Sequence, residues 1–297
     1  MKALKALSLP LVLWHGLGDS FEGMQDLREA VLQHYPGTFV HAVALSDDVD
    51  ADRRATFFGK ADQQVQQVCE QLACIKELQD GFDGIGFSQG GQFLRAYVER
   101  CNAPPMRRLV TFGAQHNGIA KGPRCGDSDW LCKSANSLLE SNTWSAWVQS
   151  HIIPAQYFRN GEAIDTYLQH SSFLADINNE REVKNMTYAQ RLSRLQTLVM
   201  IMFADDDTVV PKVSSHFGEF NFTSGQTTRL EDRPIFKEDW IGLRELADRN
   251  GLKYVTIAGA HMRFNESTFL QIVETFLANK QEEVVEDHSS KQFYFDH

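Results

Sequence analysis

The chain has 297 residues, a formal net charge of −10, 42% hydrophobic and 23% charged residues, which is typical of a folded domain rather than of a disordered chain. The negative charge disfavours a nucleic-acid partner, since phosphate binding depends on clustered lysine and arginine. No apolar run reaches the length that crosses a bilayer, so no transmembrane segment is predicted. We expect one domain over residues 1–280, a monomer, and a charged, mobile tail at 281–297.

The first part of the chain alternates short apolar runs with amphipathic segments. Buried strands are predicted at 9–16, 38–45, 82–87 and 107–113, and helices at 21–37, 60–78 and 92–101. This alternation predicts an α/β fold, with a mostly parallel sheet flanked by helices on both faces.

Residues 114–196 interrupt the alternation. They include a helix-like stretch rich in aromatic residues, without strands between, which we interpret as a helical insertion. Strands are predicted again at 197–207 and 252–261, and a final helix at 267–280. The insertion therefore separates two halves of one sheet.

The five cysteines lack the paired C-x-x-C spacing of a zinc site, so no metal is predicted. Cys125 and Cys132 could close a small loop, and Cys69 with Cys101 could connect two helices, leaving Cys74 unpaired. The cysteines alone leave oxidised pairs and buried free thiols equally open.

Other features bear on the compartment. Three N-x-[ST] sequons fit a secreted chain; their asparagines are Asn185, Asn221 and Asn265. The opening "MKALKALSLP" supplies no recognisable signal peptide, so we expect either a trimmed start or a protein that is not exported.

Residues 86–90 read "GFSQG" and match G-x-S-x-G between a predicted strand and a predicted helix. In this setting the pattern is typical of a nucleophile elbow, a sharp turn that exposes its serine at the end of a sheet. Glycines are needed at 86 and 90 because a Cβ there would collide with neighbouring elements. We predict Ser88 as a nucleophile, with a plain glycine-rich turn as the alternative.

A serine hydroxyl needs a base to remove its proton, and the base needs a third group to fix its tautomer. His261 ends a predicted strand and precedes a helix, as a loop histidine reaching over the sheet would. His15 and His116 also lie near strand ends, and we interpret them as structural members of loops lining the site.

The acid is expected in "FADDDTVVP", at 203–211. An Asp followed three residues later by Val fits both Asp206 and Asp207, and Asp205 is a near neighbour, so the pattern leaves the choice open. A cation site at these carboxylates is not supported, because further oxygen ligands at defined offsets are missing.

Charge that develops on a carbonyl oxygen during attack needs N–H donors. The amide of Gln89, directly after the nucleophile, is one candidate. The glycine-rich "HGLGDS" at 15–20 follows the first strand, and the amide of Leu17 is the second candidate, unless this stretch is only a tight turn. Neither a G-x-G-x-x-G motif nor a P-loop is present, so no cofactor is predicted.

Five stretches together resemble the lysosomal palmitoyl-protein thioesterases, over nearly the full length from Pro10 to about Leu277. They are "PLVLWHGLGDS", "GFSQGGQFLRAYVERC", "FGAQHNGIAKGPRC", "FLADINNERE" and "AGAHM". The resemblance assigns the triad to Ser88, Asp206 and His261, and the oxyanion amides to Leu17 and Gln89. It also implies disulfides between Cys69 and Cys101 and between Cys125 and Cys132.

The resemblance implies an α/β-hydrolase that removes long fatty acyl groups from S-acylated cysteines of proteins or peptides, without a cofactor. It further implies a lysosome or equivalent acidic vacuole, or secretion. We predict that the insertion builds much of the acyl groove with aromatic residues, the alternative for about half of them being that they pack the insertion's own core. The six are Trp130, Trp144, Trp147, Tyr157, Phe158 and Phe173.

Other functions remain open at the level of the sequence. A lipase or carboxylesterase acting on oxygen esters would use the same triad, and acyl-CoA is a further thioester substrate. A hydrolase fold that has lost its activity and serves as a binding protein is the alternative of a different class.

Overall fold

A computed structural model describes residues 7–278, and the predicted tail at 281–297 lies outside them. Six parallel strands form the main sheet in the order β2-β1-β3-β4-β5-β8, and β6 and β7 form a separate antiparallel pair. The strands are β1 (Leu11–Trp14), β2 (Val40–Ala42), β3 (Phe82–Phe87), β4 (Met106–Phe112), β5 (Thr197–Phe203), β6 (Glu219–Phe220), β7 (Thr227–Thr228) and β8 (Leu252–Ile257).

Helices cover both faces of the main sheet. They are α1 (Gln25–His34), α2 (Val49–Ala55), α3 (Ala61–Ala73), α4 (Gln89–Arg100), α5 (Trp130–Asn142), α6 (Ala146–His151), α7 (Ile153–Gln156), α8 (Ile164–His170), α9 (Leu174–Ile177), α10 (Met186–Leu192), α11 (Pro234–Lys237), α12 (Leu243–Asp248) and α13 (Glu266–Phe276). The predicted parallel sheet between two helical layers is confirmed.

The central strand β3 shows why its sequence does not alternate. All six residues of "FDGIGF" are buried, because α1 and α13 pack against one face of the sheet and α3, α4 and α10 against the other. A strand covered on both faces is selected for apolar or small residues, and its one charged residue, Asp83, forms an ion pair with Arg108. The end of β3 is therefore fixed in the middle of the protein, where the chain turns into α4.

Residues 114–196 contain six helices, α5–α10, and contribute no strand to the sheet within this fully described stretch. An isolated bridge between Phe58 and Ile152 connects the segment to its surroundings, and a second bridge, between Ile119 and Phe158, lies within it. A third apolar cluster, around Phe57, Leu131, Leu139 and Ile152, packs α5 and α6 beside the end of α2.

The strands and helices differ from the predicted ones where the apolar periodicity of the sequence is weakest. The run predicted as a strand at 38–45 is a strand only over Val40–Ala42. Helix α2 was not predicted, because its sequence "VDADRRA" has no apolar periodicity.

Both cysteine pairs implied by the resemblance are disulfide-bonded. Cys69 in α3 is joined to Cys101 at the end of α4, and Cys125 is joined to Cys132 in the first turn of α5. Cys74 is an exposed free cysteine. The first pair fixes two helices of one layer to each other, and the second closes a loop next to the cavity described below.

Candidate active site

Ser88 lies in a strained turn between β3 and α4. Its backbone adopts φ 50° and ψ −118°, a conformation that costs energy for a residue with a side chain. A Cβ on Gly86 would lie 2.4 Å from Cα of Gly91, and a Cβ on Gly90 would lie 2.3 Å from the carbonyl oxygen of Trp14. The two flanking glycines are therefore required by close backbone approach, and the pattern G-x-S-x-G forms the predicted elbow.

The structure brings together three side chains that are far apart in the chain. Nε2 of His261 lies 3.0 Å from Oγ of Ser88, and Nδ1 of His261 lies 2.7 Å from Oδ2 of Asp206. The loops after β5 and β8 supply the acid and the histidine, and these strands are neighbours in the sheet. A hydroxyl, an imidazole and a carboxylate in this order can deprotonate the hydroxyl for nucleophilic attack.

The carboxylate of Asp206 is buried and fixed from its other side. Its Oδ1 accepts hydrogen bonds from the amides of Thr208, at 3.0 Å, and Val209, at 2.9 Å. Asp207 is half exposed and pairs with Arg124, whereas Asp205 is exposed. Of the three adjacent aspartates, the geometry selects Asp206.

The loop between β1 and α1 lies directly against Ser88. A Cβ on Gly16 would lie 3.1 Å from Cβ of Ser88 and 3.1 Å from the carbonyl oxygen of Phe87. Within the described residues, no acceptor bonds the amide N–H of Leu17 or of Gln89. The amides of Leu17 and Gln89 stay the predicted oxyanion donors.

A cavity of about 390 Å³ opens at Ser88 and His261. Its wall combines apolar side chains with polar and charged ones. The apolar lining comprises Leu17, Met24, Leu27, Phe57, Phe87, Ile119, Pro123, Val209, Met262 and Phe264, and the polar lining includes Asp19, Gln115, Arg124, Asp129, Tyr157 and Thr208.

The prediction for the six aromatic residues of the insertion was mostly wrong. Tyr157 lines the cavity, and the other five do not. Trp130 and Trp147 are exposed, Trp144 packs against Phe158, and Phe173 is buried against Phe93 and Arg100. The insertion nevertheless contributes to the wall through Ile119, Pro123 and Cys132.

Tyr157 has a role that the aromatic pattern did not indicate. Its hydroxyl donates a hydrogen bond of 3.0 Å to Oε1 of Gln89, and burial raises the pKa of this tyrosine well above its ordinary value. The phenol therefore stays protonated and holds the Gln89 side chain beside the elbow. A helical segment followed by a tyrosine carries no pattern that predicts this contact.

The other two strand-end histidines lie away from the cavity lining. Nε2 of His15 lies 3.0 Å from Oδ2 of the buried Asp52. Burial raises the pKa of Asp52, but His15 and the amides of Leu45 and Phe21 outweigh burial and hold it below its usual value. Burial, with the positive charge of Arg95, lowers the pKa of His116 far below its ordinary value, so this ring is neutral.

Residues 7–278 contain neither a metal-binding cluster nor a membrane-spanning helix. No group of three or more histidine, cysteine, aspartate or glutamate side chains could hold a metal ion in this range. None of the helices there combines the length and the apolar character that a membrane span needs.

A family model described as palmitoyl protein thioesterase matches residues 10–261. The chain belongs to this family. Palmitoyl-protein thioesterase 1 of Caenorhabditis elegans is 34% identical, covering 88% of this chain and 89% of that protein. Lysosomal thioesterase PPT2 of Rattus norvegicus is 29% identical, covering 84% and 80%.

A relative from Schizosaccharomyces pombe, the palmitoyl-protein thioesterase-dolichyl pyrophosphate phosphatase fusion 1, is 34% identical over 94% of this chain. The chain spans only 45% of that fusion protein. Together with the parallel sheet, the elbow between β3 and α4 and the chain order Ser, Asp, His, membership in the family identifies the fold as that of an α/β-hydrolase.

Proposed function

We propose that the protein hydrolyses long-chain fatty acyl thioesters of S-acylated cysteines in proteins or peptides, through an acyl-enzyme intermediate on Ser88. The observation that carries the proposal is the contact chain from Asp206 through His261 to Ser88, which ends at a cavity lined by both apolar and polar side chains. The names of the relatives point to the same substrate class.

In the first step, Nε2 of His261 takes the proton of Ser88 while Oγ bonds to the acyl carbon. The carboxylate of Asp206 accepts a hydrogen bond from Nδ1–H, which leaves Nε2 free to act as the base and stabilises the imidazolium that forms. The amides of Leu17 and Gln89 stabilise the oxyanion. In serine hydrolases one such donor is worth about 100- to 1000-fold in kcat.

In the second step, the tetrahedral intermediate collapses, the C–S bond breaks, and His261 returns its proton to the departing cysteine sulfur. A thiol, with a reference pKa of about 8.5, is a better leaving group than an alcohol and demands less of this proton transfer. Water then attacks the acyl carbon with His261 again as base, and Ser88 leaves with the proton that His261 returns.

Binding of the acyl chain is assigned to the cavity. Each buried methylene contributes about 0.8 kcal/mol, so a long chain gains affinity from a wall such as that formed by Met24, Leu27, Phe57, Ile119 and Met262. In this proposal residues 114–196 supply part of the wall, and the rest comes from α1, the segment after α2, the end of β3 and the loops after β1, β5 and β8.

We also propose that the protein acts in a lysosome or equivalent acidic vacuole, or after secretion. Its disulfides are typical of an oxidising compartment, and the asparagines of all three sequons are exposed. The rat relative is named a lysosomal thioesterase.

The decisive experiment compares a palmitoyl-cysteine peptide with the matched peptide carrying palmitoyl-serine. The proposal predicts a higher kcat/KM for the thioester, and no turnover of either by Ser88→Ala. Faster hydrolysis of the oxygen ester would instead assign the protein to the lipases or carboxylesterases. Palmitoyl-CoA in the same assay distinguishes a preference for acylated peptides from acyl-CoA hydrolysis.

A further inference from the structure

The loop that carries Leu17 is held by polar groups of α2 and of the residue after it, in addition to the apolar packing of Leu17 itself. Nε of Arg53 donates to the carbonyl oxygen of Gly18 at 2.8 Å. The amide of Gly18 donates to Oγ1 of Thr56 at 2.9 Å. The amide of Phe21 donates to Oδ2 of Asp52 at 2.8 Å.

These contacts fix the peptide planes on both sides of Gly18. Gly18 has φ +79°, a region that glycine enters readily, and without a side chain its own sterics restrict the backbone only weakly. With its N–H bound by Thr56 and its carbonyl bound by Arg53, the loop is confined to one conformation. The amide N–H of Leu17 lies in the preceding peptide plane, whose carbonyl oxygen, that of Gly16, accepts a hydrogen bond from the amide of Asp19 at 3.3 Å. The held turn therefore also restricts the orientation of the Leu17 amide.

Arg53 also reaches the insertion. Nη2 of Arg53 donates a hydrogen bond of 2.8 Å to Oδ2 of Asp129. The other carboxylate oxygen of Asp129 accepts a hydrogen bond from the amide of Cys132 and caps the start of α5. Asp129 and Cys132 both line the cavity. One guanidinium therefore connects the loop beside the serine to the cavity wall formed by the insertion.

We propose that Arg53 is a positioning residue, which sets the oxyanion geometry and couples it to the placement of α5. The proposal rests on the proposed function, in which the Leu17 amide stabilises the oxyanion. Because a donor displaced by about 1 Å loses most of its effect on the transition state, loosening the loop lowers kcat. The acyl chain still binds, because Arg53 does not itself line the cavity.

The test compares five variants with the wild-type protein on a short-chain and a long-chain acyl thioester. Arg53→Met and Thr56→Val each remove a hydrogen bond to Gly18, and we expect kcat to fall about 10- to 100-fold with KM within about threefold. Arg53→Lys keeps one donor and retains intermediate activity. Thr56→Ser keeps the acceptor and restores kcat.

Arg54→Met is the matched control, because it removes the same charge from the next residue, which is exposed. Its kcat should stay within about twofold of wild type. Binding of a fluorescent fatty acid to Ser88→Ala and to the Arg53→Met/Ser88→Ala double variant should be equal. A loss confined to KM, or one matched by Arg54→Met, overturns the proposal.

A second readout keeps this inference separate from the proposed function. The rate at which a fluorophosphonate labels Ser88 also depends on the oxyanion donors, whatever the natural substrate. If wild type labels but hydrolyses no thioester, the proposed function fails, and slower labelling of Arg53→Met still supports the positioning role. Equal labelling rates for wild type, Arg53→Met and Thr56→Val refute that role.

Discussion

Asp206 and Asp207 are adjacent in the chain, yet only the carboxylate of Asp206 contacts the ring of His261. Oδ2 of Asp206 lies 2.7 Å from Nδ1 of His261, whereas Oδ2 of Asp207 lies 2.5 Å from the guanidinium of Arg124. The side chain of Asp206 is fully buried, and that of Asp207 is 48% exposed. An exposed ion pair contributes little to stability, so the two aspartates give a clean comparison.

Asp206→Asn should lower kcat by about three to four orders of magnitude, because the amide no longer stabilises the imidazolium or enforces the tautomer. Asp207→Asn is the matched control, and its kcat should stay within about threefold of wild type. Steady-state hydrolysis of a palmitoyl-thioester measures both. A severe loss in Asp207→Asn with an active Asp206→Asn would transfer the role of the acid to residue 207.

Gly16→Ala tests the close approach between the β1 loop and the elbow. The added methyl would meet Cβ of Ser88 and the carbonyl oxygen of Phe87, each at 3.1 Å, so the loop must shift by a few tenths of an ångström. We expect kcat to fall at least about tenfold. Gly126→Ala is the control, since its nearest neighbour would lie 4.0 Å away. Wild-type kcat in Gly16→Ala would show that this contact does not set the donor geometry.

Glu99 gives the protein a pH-dependent stability. Burial raises the pKa of Glu99 to about 7, against the opposing charge and hydrogen bond of Arg95. The folded state therefore binds the proton of the Glu99 carboxyl more tightly than the unfolded chain does. The stabilisation that this gives is complete below pH 4.5, the ordinary pKa of the group, and is lost as pH rises through about 7. The sign favours stability in acid.

The variant Glu99→Gln removes this titration. Relative to wild type, its free energy of unfolding should rise by about 1 to 3 kcal/mol between about pH 5 and pH 8, as expected at about 1.4 kcal/mol per pKa unit. Urea unfolding at both pH values measures the difference. The exposed Glu77→Gln serves as control. If the free energy of unfolding of Glu99→Gln depended on pH as that of wild type does, the Glu99 carboxyl would be ionised over the whole range from about pH 5 to pH 8.

The disulfide between Cys69 and Cys101 should contribute mainly to stability. Its partners are 32 residues apart, so chain entropy predicts a loss of about 3 to 4 kcal/mol in Cys69→Ala/Cys101→Ala. Both residues lie outside the cavity lining, and kcat below the melting temperature should persist. Cys74→Ala, which removes an exposed free thiol, should change neither quantity. Loss of kcat in a still-folded double variant would contradict this separation.

The elbow could be predicted from the sequence because its constraints are local. Gly86 is required by the backbone of Gly90 and Gly91 within the turn itself, and Gly90 by the backbone at the end of the neighbouring strand β1, which every elbow in such a sheet approaches. The choice among Asp205, Asp206 and Asp207 could not be made from the pattern alone. It depends on which carboxylate faces a loop more than 50 residues away, as the sequence separation of 55 to His261 shows.

Helix α2 and the aromatic residues of the insertion are two features that the sequence pattern does not predict. The helix has no apolar stripe, because Asp52 is buried through hydrogen bonds to other loops rather than through apolar packing. Trp130 and Trp147 are exposed and Phe173 is in the core. A run rich in aromatic residues predicts that these side chains make apolar contacts, but it does not predict which part of the protein they contact. The sequence therefore assigns the groove to the wrong side chains.

The most direct test of the account is to stop a reaction with a palmitoyl-cysteine peptide during turnover and to analyse the protein by mass spectrometry. The account predicts a palmitoyl adduct on Ser88 that disappears as product forms, and no adduct or turnover in Ser88→Ala. Thioester hydrolysis that persists in Ser88→Ala, or turnover with an adduct on a different residue, would contradict it.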